Sequence, residues 1–223
     1  MPETAPGSSL PLGKLILIPS LITLGITILR LVGELNQWSP VLFSRAAGGG
    51  GALVGITWLP LLLGPYFAWK LIKSGHGPGG CNRAIGYAVL GLVIFFLGGF
   101  VGFAPVLSFP GRQAVGYLLM AAAVAPQFLC WRSLAKTLLA YAYAARLPVV
   151  IVTYFAMRGN WGTHYDAVPP EAAAVTGFAE KFFLVSVLPQ LVFWIAYTVI
   201  VGALLGSIYV AVARRRPAPV SNA

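Results

Sequence analysis

Apolar runs long enough to cross a bilayer, separated by short polar breaks, dominate this chain. Stretches of about 18 or more residues with few or no charges mark membrane helices. They recur over 14–35, 51–69, 84–107, 114–131, 137–157 and 182–213. The runs are continuous and lack the ten-residue alternation of barrel strands. The pattern predicts an all-α, polytopic membrane helix bundle of six transmembrane helices in one domain. The last run is uncharged throughout. At about 1.5 Å per residue it would reach roughly 48 Å as one helix, against a hydrocarbon core of ~30 Å. It is expected to tilt, or to stand proud of the bilayer before Pro189.

The breaks carry the charge. Lys14 opens the first run, whose apolar residues continue past Arg30 with no small-residue cleavage site. It reads as a retained span rather than a secretory signal. The first connection is NQWSPVLFSRAAGGG (36–50). Lys70 and Lys73 precede the glycine-rich SGHGPGGCNR, SFPGR makes a short turn, and Arg132 and Lys136 follow the fourth run. The fifth is apolar except for Arg146. In the alternative arrangement 132–146 lies flat on the surface as an amphipathic helix. That would place Arg214, Arg215 and Arg216 on the opposite side from Lys70, Lys73 and Arg83, against the loop-charge bias.

Composition sharpens the class. The chain is 58% hydrophobic and 9% charged, where soluble domains carry about 25% charged residues. A water-soluble fold of this size has no means of hiding that much apolar surface. The net charge of +10 is no nucleic-acid footprint, because the basic residues punctuate the ends of apolar runs instead of clustering on a soluble face. Their distribution predicts both termini inside, N-in/C-in, in a multi-pass protein of the cell inner membrane. The domain reading is a disordered tail at 1–13, a six-helix membrane domain at 14–213 and a basic cytoplasmic tail at 214–223. Cys81 and Cys130 make no disulfide framework, and the two halves show no inverted repeat of the transporter kind.

The densest polar chemistry lies in RLPVVIVTYFAMRGNWGTHYD (146–166). A charge deep in a membrane usually faces the bundle interior or a wet cavity. Arg146 is such a charge. Its one acidic candidate within the spans, Glu34, has a nearer partner in Arg30, four residues earlier on the same helix. Arg146 therefore either hydrogen-bonds carbonyls loosened by Pro148 and snorkels, or holds an anionic ligand group. His164, Asp166 and Glu34 are the candidate catalytic acid and base groups. Arg146, Arg30, Asn36, Arg45, Arg158, Asn160 and Trp161 are the candidate ligand-binding residues. If 36–50 meets 158–166, then Glu34, Asn36, Gln37, Asn160, His164 and Asp166 line one outward-facing vestibule, ringed by Arg30, Arg45, Arg112 and Arg158. The competing reading is interfacial anchoring by Trp and Tyr.

Other signals are weaker. Gly48 to Gly51 lead into the second run, where a helix N-terminus would suit an anion; no GK[ST] follows, and the glycines read first as a flexible connector. Seven prolines, Pro19, Pro60, Pro65, Pro105, Pro126, Pro148 and Pro189, fall within predicted spans, as kinks or as the broken helices of transporters. AAAVA (121–125) and GALLG (202–206) suit close helix packing. No metal site and no cofactor is indicated, since His76 and Cys81 are too few for zinc. Expected partners are membrane lipids, and other membrane subunits or a second copy; nucleic acid is not among them. Three function classes stay open: a non-catalytic membrane subunit or assembly component, a small transporter or channel subunit for an anionic or amphipathic ligand, and a membrane-embedded enzyme acting on a lipid headgroup.

Overall fold

The computed structural model describes residues 11–215, except for the side chains of Glu171 and Arg215. The expected disorder at the N-terminus therefore falls mostly outside the described residues, as does the basic tail beyond 215. The chain forms α1 (Leu12–Leu35), α2 (Leu59–Lys73), α3 (Cys81–Phe103), α4 (Arg112–Ala122), α5 (Ala125–Cys130) and α6 (Arg132–Gly159). A last rod follows: α7 (Phe178–Phe182), two π-helical segments (Phe183–Val187 and Pro189–Phe193) and α8 (Trp194–Arg215). Among the described residues five helical stretches are long and apolar enough to cross a membrane: Leu12–Leu35, Cys81–Phe103, Arg112–Cys130, Arg132–Gly159 and Phe178–Arg214.

The second predicted span is the exception. Its helix starts eight residues later than the apolar run and is 15 residues long, about 22 Å. The residues before it are poor helix formers. Gly48, Gly49 and Gly51 sit at φ +73° to +77°, a region closed to a regular helix. Val54, Ile56 and Thr57 are β-branched, and Gly55 lies among them. Pro60 suits the first turn of a helix, where its missing N–H is no loss, and the helix begins there. At the other end α2 outlasts its apolar run by a turn, with the amines of Lys70 and Lys73 lying 5.0 and 4.3 Å from the Trp69 ring centre. Gly75, at φ +80°, then stops it. The N–H of His76 bonds the carbonyl of Leu71, and that of Gly75 the carbonyl of Ile72, the Schellman arrangement.

Three further boundaries move. Helix α3 ends at Phe103, so Pro105 lies in the turn and kinks nothing. Pro126 stands in the first turn of α5 and divides the fourth span into two helices. Helix α6 is continuous from Arg132 to Gly159 through Pro148, which excludes a separate 132–146 surface helix.

Small residues bring the central helices together. A Cβ on Gly64 of α2 would collide with the backbone of Gly202 of α8, and one on Gly206 would meet the Gly64 carbonyl at 2.9 Å. The 202–206 pair thus serves packing within the chain. Gly98 and Gly102 of α3 meet Gly116 of α4 in the same way. Leu15, Leu71, Trp131 and Val210 share one apolar cluster, and the His76 carbonyl accepts hydrogen bonds from Trp131 Nε1 (2.7 Å) and Ser133 Oγ (3.1 Å). Both ends of the described chain and the 74–80 turn therefore lie at one end of the bundle, here the near end. The far end carries 36–58, 104–111 and 160–177.

Candidate functional site

The far half of the bundle encloses a cavity of about 400 Å³. Helices α1, α4 and α6 and the π-helical segments wall it, and the residues ahead of α2 close one side with Gly55, Ile56 and Thr57. Irregular backbone at membrane depth is tolerated where it lines a cavity. The missing upper half of α2 is thus the reason for the space. The turn at Gly48 and Gly49 and the segment from His164 to Ala172 form its roof.

Arg146 stands in the wall at the midpoint of α6. Hydroxyls of Thr23 and Tyr141 meet at 2.8 Å, setting α1 beside α6, and Arg146 lies 13 residues, or about 20 Å, below the far end of α6. It is 4% exposed. Its Nη1 donates to Gln190 Oε1 at 3.2 Å, and its guanidinium lies 4.7 Å from the Trp194 ring centre. Among the described residues no carboxylate pairs with it. Neither carbonyl bonding nor snorkelling accounts for it: the group is held inside by a neutral amide and an aromatic face.

The second π-helical segment carries Gln190, and Trp194 follows it as the first residue of α8. Leu188 donates to Phe183 O and Trp194 to Pro189 O, both five residues back. Pro189 has no N–H to give to the turn before it, and Leu184 and Val185 of that turn also line the cavity. Such π segments recur at functional sites. Sequence reasoning passed over Gln190; a lone amide beside an in-span proline was the available signal.

Glu34 and His164 meet above Arg146. The Glu34 carboxylate, 1% exposed, accepts from Arg30 Nε at 2.7 Å, from the His164 backbone N–H at 2.8 Å and from His164 Nδ1 at 2.6 Å. The Arg30 Nη2 also donates to the carbonyls of Ser44 (3.1 Å) and Gly49 (3.0 Å), fastening the roof to α1. A Cβ on Gly49 would sit 2.9 Å from the His164 ring. The segments 36–50 and 158–166 thus touch, through this cluster. Burial lowers the His164 imidazole below its ordinary range, against the opposing pull of the Glu34 carboxylate. His164 is accordingly neutral near pH 7 and donates through Nδ1.

Of the expected vestibule only part assembles. Arg30, Arg112, Arg146 and His164 line the cavity, and Glu34 backs it. Arg112 Nη1 donates to the Ala104 and Leu107 carbonyls, both at 2.6 Å. The remaining candidates lie elsewhere. Asn36 is exposed and bonds Val32 O; Gln37, at φ +54°, closes α1. Arg45 is exposed. Arg158 lies over the Phe178 ring at 4.4 Å. Asn160, at φ +49°, ends α6, and Trp161 is exposed beside Gly159. Asp166 accepts from the N–H groups of Gly162 (2.8 Å) and Thr163 (2.7 Å) and from Thr163 Oγ1 (2.6 Å). Burial raises its pKa, but these bonds outweigh burial and hold it below the usual carboxylate range. Asp166 shapes the loop that carries His164 and is no proton-transfer partner to it. The glycine turn leads into no helix N-terminus, so the anion-site alternative fails and the glycines serve as a connector.

The fold and composition define a multi-pass membrane protein class. Comparison with known proteins returned no match: no family model, no curated protein and no solved structure resembles the chain.

Proposed function

We propose that this chain is a polytopic membrane protein that binds a small anion at Arg146 and carries it through the bundle. One observation supports this reading above the others. A buried arginine in a helix long and apolar enough to span a membrane, with one neutral hydrogen bond and no acid among the described residues, lines a cavity of about 400 Å³. Unpaired charges at such depth are costly and functional by default. A purely structural subunit requires packing faces but no such cavity. The far end faces the exoplasm, because Lys14, Lys70, Lys73, Arg83, Arg132, Lys136 and Arg214 gather towards the near end. The anion enters from the outer side and both termini are cytoplasmic.

Uptake of radiolabelled small anions into proteoliposomes tests it. Arg146→Gln should lower uptake at least ~10-fold, since a hydrogen bond to a charged group is worth about 1.5–3 kcal/mol. Equal uptake by variant and wild type would overturn the reading.

The 2.6 Å His164–Glu34 contact beside the cavity favours a second reading. A His–carboxylate pair is the geometry of a general base, here activating water against a headgroup ester. His164→Asn would abolish such hydrolysis while sparing anion binding at Arg146. Retained hydrolysis in that variant would remove this reading.

A further inference from the structure

We infer that the anion is a monocarboxylate with an apolar body; this rests on the reading of Arg146 as the anion site. The cavity's charges are unequal. Arg30 is neutralised by Glu34 and spends further donors on the Ser44 and Gly49 carbonyls. Arg112, the first residue of α4 and so at the rim, spends an Nη on two carbonyls. Among the described residues only Arg146 offers free donors at depth, so the deep site as described holds one uncompensated positive charge. A monoanion cancels it. A phosphate dianion would leave a net negative charge in a low-dielectric pocket, which is costly.

Geometry selects among monoanions. The Trp194 ring covers one region of the guanidinium and Gln190 Oε1 occupies part of Nη1. The planar guanidinium fork carries parallel N–H groups, and those left over from the Gln190 bond match the two oxygens of a carboxylate. The cavity wall is mixed: Ile26, Val149, Trp194, Tyr117 and Phe103 give it apolar and aromatic surface, beside polar Thr27, Thr57, Gln113 and Thr153. The volume lies at the small end of the range for drug-sized ligands. It has room for one compact apolar body and none for a two-chain lipid.

The test uses four probes on the protein in nanodiscs, read by the shift in thermal unfolding midpoint with concentration. They are 4-phenylbutyrate, acetate, phenyl phosphate and 4-phenylbutanol. Phenylbutyrate should bind at least ~10-fold more tightly than each of the others. Arg146→Gln should erase that advantage and Arg146→Lys should reduce it, since an ammonium lacks the planar fork. Trp194→Leu, which keeps the charge, should weaken phenylbutyrate but not acetate and stands in if the arginine variants do not fold. Phenyl phosphate binding as tightly as phenylbutyrate would overturn the carboxylate class and leave the anion site standing. Acetate matching phenylbutyrate would overturn the apolar body. Phenylbutanol matching it, or no binding by any probe, would overturn the inference together with the anion site.

Discussion

Glu34 accepts three hydrogen bonds at 2.6 to 2.8 Å while almost wholly buried. Removing one partner of a buried ion pair strands the other, at a cost of about 3–5 kcal/mol. Glu34→Gln should therefore lower thermal stability strongly. The double variant Arg30→Gln with Glu34→Gln should recover part of that loss, because no charge is then stranded; additive losses in unfolding measurements would contradict the pairing. His164 has a pH signature of its own. Burial holds its folded pKa below the unfolded value near 6.5, so the unfolded state takes the proton first. Stability is full above about pH 6.5 and falls as pH drops through the lower folded value. His164→Asn should flatten this limb in unfolding scans from pH 7.5 to 5, and an unchanged limb would exclude His164 as its source. At this scale the sequence was informative about identity but not about company. Arg146 declared itself as a charge inside an apolar run, and the Arg30–Glu34 spacing named a helical pair. Asn36, Arg45, Arg158, Asn160 and Trp161 looked equivalent to them because polarity at a helix end says nothing of which way a side chain turns.

Helix α2 shows what apolar length alone conceals. A run over 51–69 satisfies a hydropathy criterion, yet glycines at positive φ and a β-branched cluster delay the helix to Leu59. The signal was present in glycine and proline placement and was outweighed by hydrophobicity. The shortening opens the cavity, so the boundary error and the site have one cause. What remains of α2 is held by glycine. Any side chain at Gly64 meets the backbone of Gly202, which has no rotamer to yield. Overpacking typically costs about 1–3 kcal/mol, and Gly64→Val should reach at least that by splitting α2 from α8. Gly25 of α1 has open space at its Cβ position, so Gly25→Ala should be neutral or mildly stabilising. Equal effects of the two substitutions on the unfolding midpoint would refute the close crossing.

The threading of the whole molecule depends on that short helix. At about 22 Å, α2 is too short to reach across a ~30 Å core, and it is not among the five helical stretches long enough to span. The chain's direction is nonetheless fixed by other bonds. His76 is tied to Trp131 and Ser133, which flank the start of α6. Asn160 ends the same helix, 28 residues or about 42 Å further along. A continuous helix of that length is long enough to put the two positions on opposite faces of a bilayer whether or not α2 counts as a span. With Cys81 and Cys130 replaced by serine, a cysteine at Asn160 should react with a membrane-impermeant maleimide in intact cells. A cysteine at His76 should react only after permeabilisation. The reverse pattern would turn the charge-based orientation over while leaving the bundle intact, and the cavity would then take its anion from the cytoplasm. Labelling of both positions from one side would mean that α6 does not cross, and the placing of Arg146 at mid-membrane depth would fall with it.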